Sequence, residues 1–394
     1  MNIETQHFIS EHEKDDIFTL KLKHRYDPEV NIDLAIRQIS GRQKIKSKVP
    51  LFYNAQDILY PVQLSIEQSS SESTATYKST ICEGASLVDL TGGFGVDCFF
   101  MARKFKVVTY VEHQEELCGL ALHNFKVLKS DHIKVIHSET EVYLNCMEHV
   151  DWIFIDPARR STSGKKVVLL SDCEPDVNKL HSLLLAKATH VMIKLSPMMD
   201  ISAAINDLPN TSEIHILSVE NECKEVLLIL NQSVQNTIKI KTINTAKNKE
   251  IQVFDYNLED EFKANVTFAT KVERFLYEPN AAIMKSGAFK LIGNRFNLQK
   301  LHKNTHLYTS NEFMHDFPGR IFEIKSQWGN SKTELKDIAD KIPKANISTR
   351  NYPIHVDELR KKLKIKDGGD IYLFACTLYD DQKVILETLK GSGT

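Results

Sequence analysis

Apolar positions in the first 65 residues recur every three to four places: Ile32, Ala35, Ile36 and Ile39 fall on one helical face, and Pro50 and Pro61 break the pattern beyond it. Ser69 followed three residues later by Glu72 has the form of a capping box. A helix is therefore expected to open there and to carry Thr74 and Tyr77. From Ala85 the period changes. SLVDL (86–90), KVVTYVE (106–112), IKVIH (133–137), DWIFID (151–156) and HVMIKLS (190–196) are strand-like runs, separated by helical stretches such as 96–104, 115–128 and about 175–187. Strands alternating with helices predict a parallel sheet with crossover connections. EIHILSVE (213–220) and KEVLLILN (224–231) succeed each other with no helix evident between them, which predicts an antiparallel pair at one edge of that sheet. Beyond about 236 the pattern is a hairpin (TIKIKTIN, KEIQVFDYN) and then small α+β stretches: RIFEIKSQW as a strand, a helix near 332–341, ANISTRN as strand or loop, VDELRKKLK as a helix and DIYLFAC as a strand.

Composition narrows the class. The chain has 394 residues, long enough for several cores, and 42% hydrophobic with 26% charged residues excludes wholesale disorder. Fifty Lys and Arg against 52 Asp and Glu leave a formal charge of -2, so any attraction to polyanions must come from a local basic face. Two such runs exist. Arg37, Arg42, Lys44, Lys46 and Lys48 are either a solvated helix face or phosphate contacts, and Arg360, Lys361, Lys362, Lys364 and Lys366 carry the same two readings. The seven cysteines are scattered with no CxxC pair, the N-terminal stretch is polar and acidic, and no apolar run reaches about 18 residues. These features predict a reducing, cytoplasmic setting without a membrane span. No HExxH or other tight histidine pair suggests a metal, no GxSxG elbow suggests a serine nucleophile, and no Walker lysine comes after the glycines.

The chemistry concentrates at strand ends. In LVDLTGGFGVD (87–97) a strand closes at Asp89, then Thr91, Gly92, Gly93 and Gly95 lead into a helix. Small residues there let backbone approach a ligand at a helix N-terminus. Glu112 ends the second strand about 20 residues on, where a carboxylate can accept from both ribose hydroxyls. Glu139 comes after the third strand, where an adenine amino group could be read, with Glu141 as its competitor. Asp156-Pro157-Ala158-Arg159 closes the fourth strand, at the edge of a parallel sheet where ligands sit; proline there fixes the turn.

DLTGGFGVD, Glu112 and DPARR together resemble the S-adenosylmethionine-dependent class I methyltransferases. EQSSSESTATYKS, KLSP (194–197), NECKE (221–225), YEPNAAIMKSGAF (277–289) and RNYPIHVDELRKKLKIKDGGDIYLFA (350–375) extend the resemblance over nearly the whole chain, to a bacterial methyltransferase-like family with a THUMP-like C-terminal module. The fold class implied is α/β: a Rossmann-like class I methyltransferase sheet, an N-terminal helical segment and small C-terminal α+β modules. The expected domains are 1–65 (helical), 66–235 (S-adenosylmethionine-binding), 236–310 (ferredoxin-like) and 311–394 (THUMP-like). The resemblance implies S-adenosylmethionine as cofactor and RNA as substrate; the residue pattern itself predicts no metal and no membrane partner. The resemblance puts the helix that carries Thr74 over the cofactor, Asp89 and Gly93 along the methionine end, Glu112 at the ribose, and Asp156 and Pro157 in the crevice beside the methyl group; Thr91, Gly92, Gly95 and Glu139 complete the set of cofactor-binding candidates. Arg159 or Arg160 would hold phosphate or form a structural ion pair. Two departures stand out: Thr91 replaces the usual first glycine, and Ala158-Arg159 replace the Pro-aromatic pair that stacks a flipped base in amino-group methyltransferases. The alternatives are a non-catalytic RNA-binding or assembly protein retaining the fold, and a methyltransferase for DNA, protein or a small molecule.

Overall fold

The computed structural model describes residues 1–23, 29–159, 169–234, 236–247 and 250–391. The chain divides into two compact units: Met1–Ser212 with Val226–Gln235, and Glu213–Glu225 with Asn236–Thr394.

The first unit opens with helices α1 (Ile3–Glu11), α2 (Ile17–Lys23), α3 (Ile32–Lys48), α4 (Pro50–Asn54), α5 (Gln63–Gln68) and α6 (Glu72–Ile81). The period read in the sequence is that of α3: Asn31 caps it by accepting from Leu34 N–H, and Ala35, Ile39 and Ile45 are buried. Its basic run is not a bare solvated face, because its cations have partners within the protein. Arg37 pairs with Glu116 (2.5 Å), Arg42 with Glu13 (3.1 Å) and Lys44 with Glu67 (2.5 Å). Lys48 donates to the carbonyls of Ile66 and Glu67 at 2.7 and 2.6 Å, and Lys46 lies over the Tyr53 ring. The start of α6 differs from the capping box expected at Ser69. Ser71 is the N-cap, accepting from Thr74 N–H at 3.3 Å, and Ser69 terminates α5 instead. Glu72 is then the first helical residue, and its carboxylate reaches across to Leu51 N–H rather than back to its own cap.

The sheet that these helices flank contains β1 (Ser86–Asp89), β2 (Val107–Glu112), β3 (Ile133–His137) and β4 (Val150–Ile155), connected by α7 (Val96–Ala102), α8 (Glu115–Val127) and α9 (Thr140–Cys146). A two-residue hairpin, β5 (Ala158–Arg159) with β6 (Cys173–Glu174), comes after the Asp-Pro turn; α10 (Val177–Lys187) leads into β7 (Ala188–Leu195), and α11 (Ile201–Asp207) into β8 (Thr211–Val219) and β9 (Glu222–Asn231). Within this unit the order is β3-β2-β1-β4-β7, all parallel, with β9 antiparallel beside β7. The chain entering β8 lies against β9, Asn231 N–H donating to the Asn210 carbonyl and Ser212 Oγ to the Ile229 carbonyl. This is the antiparallel addition expected after a parallel class I methyltransferase sheet. The strand order reverses between β1 and β4, so their carboxyl ends open a crevice at the switch point. Strands β1, β4 and β7 are continuous runs of buried residues (Leu87 and Val88; Trp152 to Ile155; Val191 to Leu195) because helices cover both faces of such sheets.

In the second unit, β8 pairs in parallel with β10 (Lys239–Thr245), so the strand pair expected at an edge is continued by further strands, and β10 forms the expected hairpin with β11 (Gln252–Asn257). Then come α12 (Leu258–Lys263), β12 (Phe275–Pro279), α13 (Ala281–Ser286), α14 (Leu291–Arg295), β13 (Gln299–Lys300) and β14 (Tyr308–Ser310). The chain ends with β15 (Gly319–Trp328), α15 (Lys332–Lys341), β16 (Asn346–Arg350), α16 (Val356–Leu363), β17 (Ile371–Thr377) and β18 (Lys383–Lys390). Strands β12 to β18 make one sheet in the order β13-β14-β12-β15-β18-β17-β16, so the module boundary expected at 310/311 falls between two groups of strands that share it. Helices α15 and α16 insert Leu335, Ile338, Leu359 and Leu363 into a core with Ile347, Leu373 and Ile385. The Ser331–Glu334 pair is a complete capping box, with Ser331 accepting from Glu334 N–H and Glu334 accepting from Ser331 N–H.

Leu359 is fully buried and Trp328 packs against the same core. With Trp152 replaced by Phe, Trp328 fluorescence in urea reports this core alone. Leu359→Ala is expected to cost it about 2–4 kcal/mol; a loss under about 1 kcal/mol would contradict the packing of α16.

Candidate active site

The turn after β1 is built by its small residues. Gly92 donates to the Val111 carbonyl (2.9 Å) and lies so close to β2 that an added Cβ would stand 2.1 Å from Tyr110 Cε2. Gly93 has φ +54°, and beyond its own chain neighbours a Cβ there would meet nothing nearer than the Thr91 carbonyl at 3.9 Å. A left-handed glycine beside open space is a place where a ligand can lie directly on backbone. Gly95, also left-handed, is the N-cap of α7. Thr91, the residue that replaces the usual glycine, has a structural use: its hydroxyl accepts from Asp156 N–H at 2.6 Å, tying the glycine turn to the Asp-Pro turn of β4.

Glu112 is buried at the end of β2. Its Oε2 accepts from Gly93 N–H (2.9 Å), its Oε1 accepts from Gln114 N–H (2.9 Å), and His113 Nδ1 is 2.9 Å from Oε1. The carboxylate thus shapes the glycine turn, and a carboxylate offers about two acceptor positions on each oxygen, so Oε2, with Gly93 N–H alone, retains capacity for a hydroxyl donor while Oε1 already has Gln114 and His113 beside it. Asp89 accepts from Thr91 N–H at 3.0 Å. Burial pushes the Asp89 carboxyl well above the usual range; the Thr91 N–H opposes this, and the carboxylates of Asp97, Asp156 and Glu112 add to it.

An ion cluster absent from the sequence expectations lies beneath these turns. Asp97, in the first turn of α7, faces Lys78 Nζ at 3.2 Å and Lys194 Nζ at 3.4 Å, and Ser70 Oγ donates to it at 2.7 Å. Lys194 also reaches Asp156 Oδ2 at 2.5 Å. Lys78 is fully buried and the Lys194 side chain is 11% exposed, whereas Asp156 is 35% exposed. Burial pushes the Asp97 carboxyl up, but the Lys78 and Lys194 ammonium groups and the Ser70 hydroxyl outweigh it and hold the group below its ordinary value. The signal for Lys78 in the sequence was its place on the face of α6 shared with Thr74, and for Lys194 its place at the end of a strand-like run. A lysine in either place reads as solvated until the fold buries it.

Thr74 is buried in α6, its hydroxyl donating to the Ser71 carbonyl. Glu139 is exposed at the N-cap of α9, and Thr140 beside it donates to the Leu90 carbonyl (2.8 Å), holding α9 against the β1 turn. Pro157 is buried, and the Arg159 backbone pairs with Cys173 in the small hairpin, while Arg160 lies outside the described residues. Among the described residues no group of His, Cys, Asp and Glu side chains is placed to hold a metal, and no helix is long and apolar enough to cross a membrane.

Comparison with known proteins agrees with this architecture. Residues 275–318 match a ferredoxin-like domain family and residues 319–388 a THUMP domain-like family. The crystal structure of a "putative methyltransferase" from Porphyromonas gingivalis W83 superposes with a TM-score of 0.89 at 31% identity, covering 99% of this chain and 98% of that one. More distant are an rRNA methylase from Streptococcus thermophilus (TM-score 0.32, 14% identity, 41% of this chain and 96% of that one) and TrmK from M. capricolum with S-adenosylhomocysteine (0.32, 10%, 45% and 71%). No curated protein sequence matches. The sheet is that of a class I methyltransferase fold. The chain belongs to the bacterial methyltransferase-like family that joins this fold to a THUMP-like C-terminal module.

Because the folded protein raises the Asp89 pKa, the stability this group contributes is present below its unfolded value near 3.9 and is lost as pH rises. Asp89→Asn keeps an acceptor for Thr91 N–H and does not titrate. It is expected to stabilise the ligand-free protein at pH 7, with the gain vanishing near pH 4. Urea unfolding across that range checks this; an Asn variant less stable than wild type at pH 7 would contradict it.

Proposed function

We propose that this chain is an S-adenosylmethionine-dependent methyltransferase acting on RNA. The observation that carries the reading is the convergence, at one switch point, of a left-handed glycine beside open space (Gly93), an acid at the end of β2 (Glu112) and an Asp-Pro turn at the end of β4 (Asp156, Pro157). These residues fit the cofactor. The open side of Gly93 is the candidate place for its amino-acid end, Glu112 Oε2 retains acceptor capacity for a ribose hydroxyl, and the exposed Glu139 is the candidate for the adenine amino group, with Glu141 as its competitor. When bound, the cofactor supplies an electrophilic methyl group on a sulfonium.

What remains for the protein is alignment. Asp156 is acceptor-only while ionised, so it holds an N–H of the nucleophile and turns the nitrogen lone pair toward the methyl group. Pro157 and the Thr91 hydroxyl fix the turn that carries Asp156. Arg159 is retained from the sequence as a candidate for holding phosphate, and its side chain lies outside the described residues. With Ala158 in the place of an aromatic residue, the base is held by something other than a ring at that position.

RNA as substrate is supported by the THUMP-like match and by the end of α16. Lys361, Lys362, Lys364 and Lys366 are exposed there, whereas Arg360 is engaged with Asp367 (2.7 Å) and the Ala345 carbonyl, so four cations rather than five face outward.

Calorimetry is expected to show S-adenosylmethionine binding that Glu112→Ala weakens by about 1–3 kcal/mol. Asp156→Asn is expected to lower methyl transfer to RNA about 10²–10⁴-fold while leaving cofactor affinity nearly unchanged. Loss of both together would make Asp156 a cofactor ligand or a structural residue.

RNA affinity is expected to fall with salt by about one unit of log–log slope per phosphate contact. Replacing Lys361, Lys362 and Lys364 with Ala flattens that slope if they touch RNA. An unchanged slope would assign them to a solvated helix face.

A further inference from the structure

We propose that Lys194 is the positioning residue of the active site: it aims the Asp156 carboxylate and is itself held by Asp97. This rests on the proposed role of Asp156 in holding the nucleophile. The geometry points one way along the chain of contacts. Ser70 and Lys78 fix Asp97, Asp97 fixes Lys194, and Lys194 fixes Oδ2 of Asp156 at 2.5 Å. The cluster is buried everywhere except at Asp156, which is 35% exposed where the others are nearly or wholly enclosed. A buried ammonium is destabilising unless paired, and Lys194 is held between two carboxylates, Asp97 at 3.4 Å and Asp156 at 2.5 Å.

The second carboxylate, Asp156, balances the second lysine, and it is the one that meets the crevice. A carboxylate is planar. With one oxygen tied to an enclosed ammonium and the backbone N–H tied to Thr91, the direction of the other oxygen is set by the protein before any substrate arrives. Lys194 sits on β7 rather than β4, so the aim of Asp156 is fixed from a neighbouring strand and not by its own turn alone.

The test uses the purified full chain with S-adenosylmethionine and RNA. Lys194→Met is expected to lower kcat about 10–10³-fold with KM for RNA and the cofactor dissociation constant each within about threefold of wild type. Combined with Asp156→Asn it is expected to add nothing, because the lysine acts through that carboxylate. Lys194→Gln, which restores an N–H donor at similar length, is expected to recover part of the rate, and it serves as the second variant if Lys194→Met does not fold. Independent multiplicative losses in the double variant, a cofactor affinity that falls in step with kcat, or a wild-type kcat in folded Lys194→Gln would each overturn the proposal.

The coupling also has a readout without turnover. In urea, the Lys194→Met, Asp156→Asn double variant is expected to unfold at no lower a concentration than the weaker single variant, and additive losses would count against the proposal. A wild-type protein that binds the cofactor, transfers no methyl group, and still shows this coupling would refute the catalytic reading while leaving the positioning contact in place.

Discussion

Two buried lysines from different elements, Lys78 of α6 and Lys194 of β7, meet on one carboxylate, Asp97. An ammonium group in a protein interior must have a partner, so this meeting constrains where α6, α7 and β7 can lie. The consequences spread outward. Helix α7 must begin with Asp97 in its first turn, which requires the left-handed Gly95 cap just before it. The Gly92–Gly93 turn must then pass close under Tyr110 of β2, where no side chain larger than hydrogen fits at Gly92. Glu112 closes that turn by accepting from Gly93, and Thr91 closes the other side by accepting from Asp156. The crevice is thus the surface of a buried polar cluster, each of whose members holds the next.

Such a site costs stability. Asp89 is enclosed with its carboxyl pushed well above the ordinary range, in a cluster that already holds Asp97, Asp156 and Glu112. Concentrating carboxylates this way is unfavourable in the ligand-free protein, and proteins retain such arrangements where function needs the groups together. The cluster therefore supports the functional reading independently of the glycine turn.

Much of the fold was legible because period and strand ends carry it. The alternation from Ala85 to Leu195 pointed to the parallel sheet, and the antiparallel β9 was visible as a second apolar run without an intervening helix. Gly93, Glu112 and Asp156 were placed by their positions at strand ends. Three things were not legible. The cap of α6 is Ser71 rather than Ser69, because three consecutive serines offer equivalent hydroxyls and only tertiary packing, here the pull of Glu72 toward Leu51, chooses among them. The basic run of α3 is consumed by partners from Glu13 to Glu116, which sequence spacing does not bring together. Lys78 and Lys194 are ordinary lysines by composition, and their chemistry exists only through a carboxylate 19 residues from one and 97 from the other (97 − 78; 194 − 97).

Methyl transfer from S-adenosylmethionine to RNA in this crevice is tested most directly by incubating the full chain with methyl-labelled S-adenosylmethionine and RNA from cells lacking the protein, then digesting the RNA to nucleosides. Label in a single nucleoside, on nitrogen, is the predicted result. Cofactor retained by the protein with no label in RNA would contradict it.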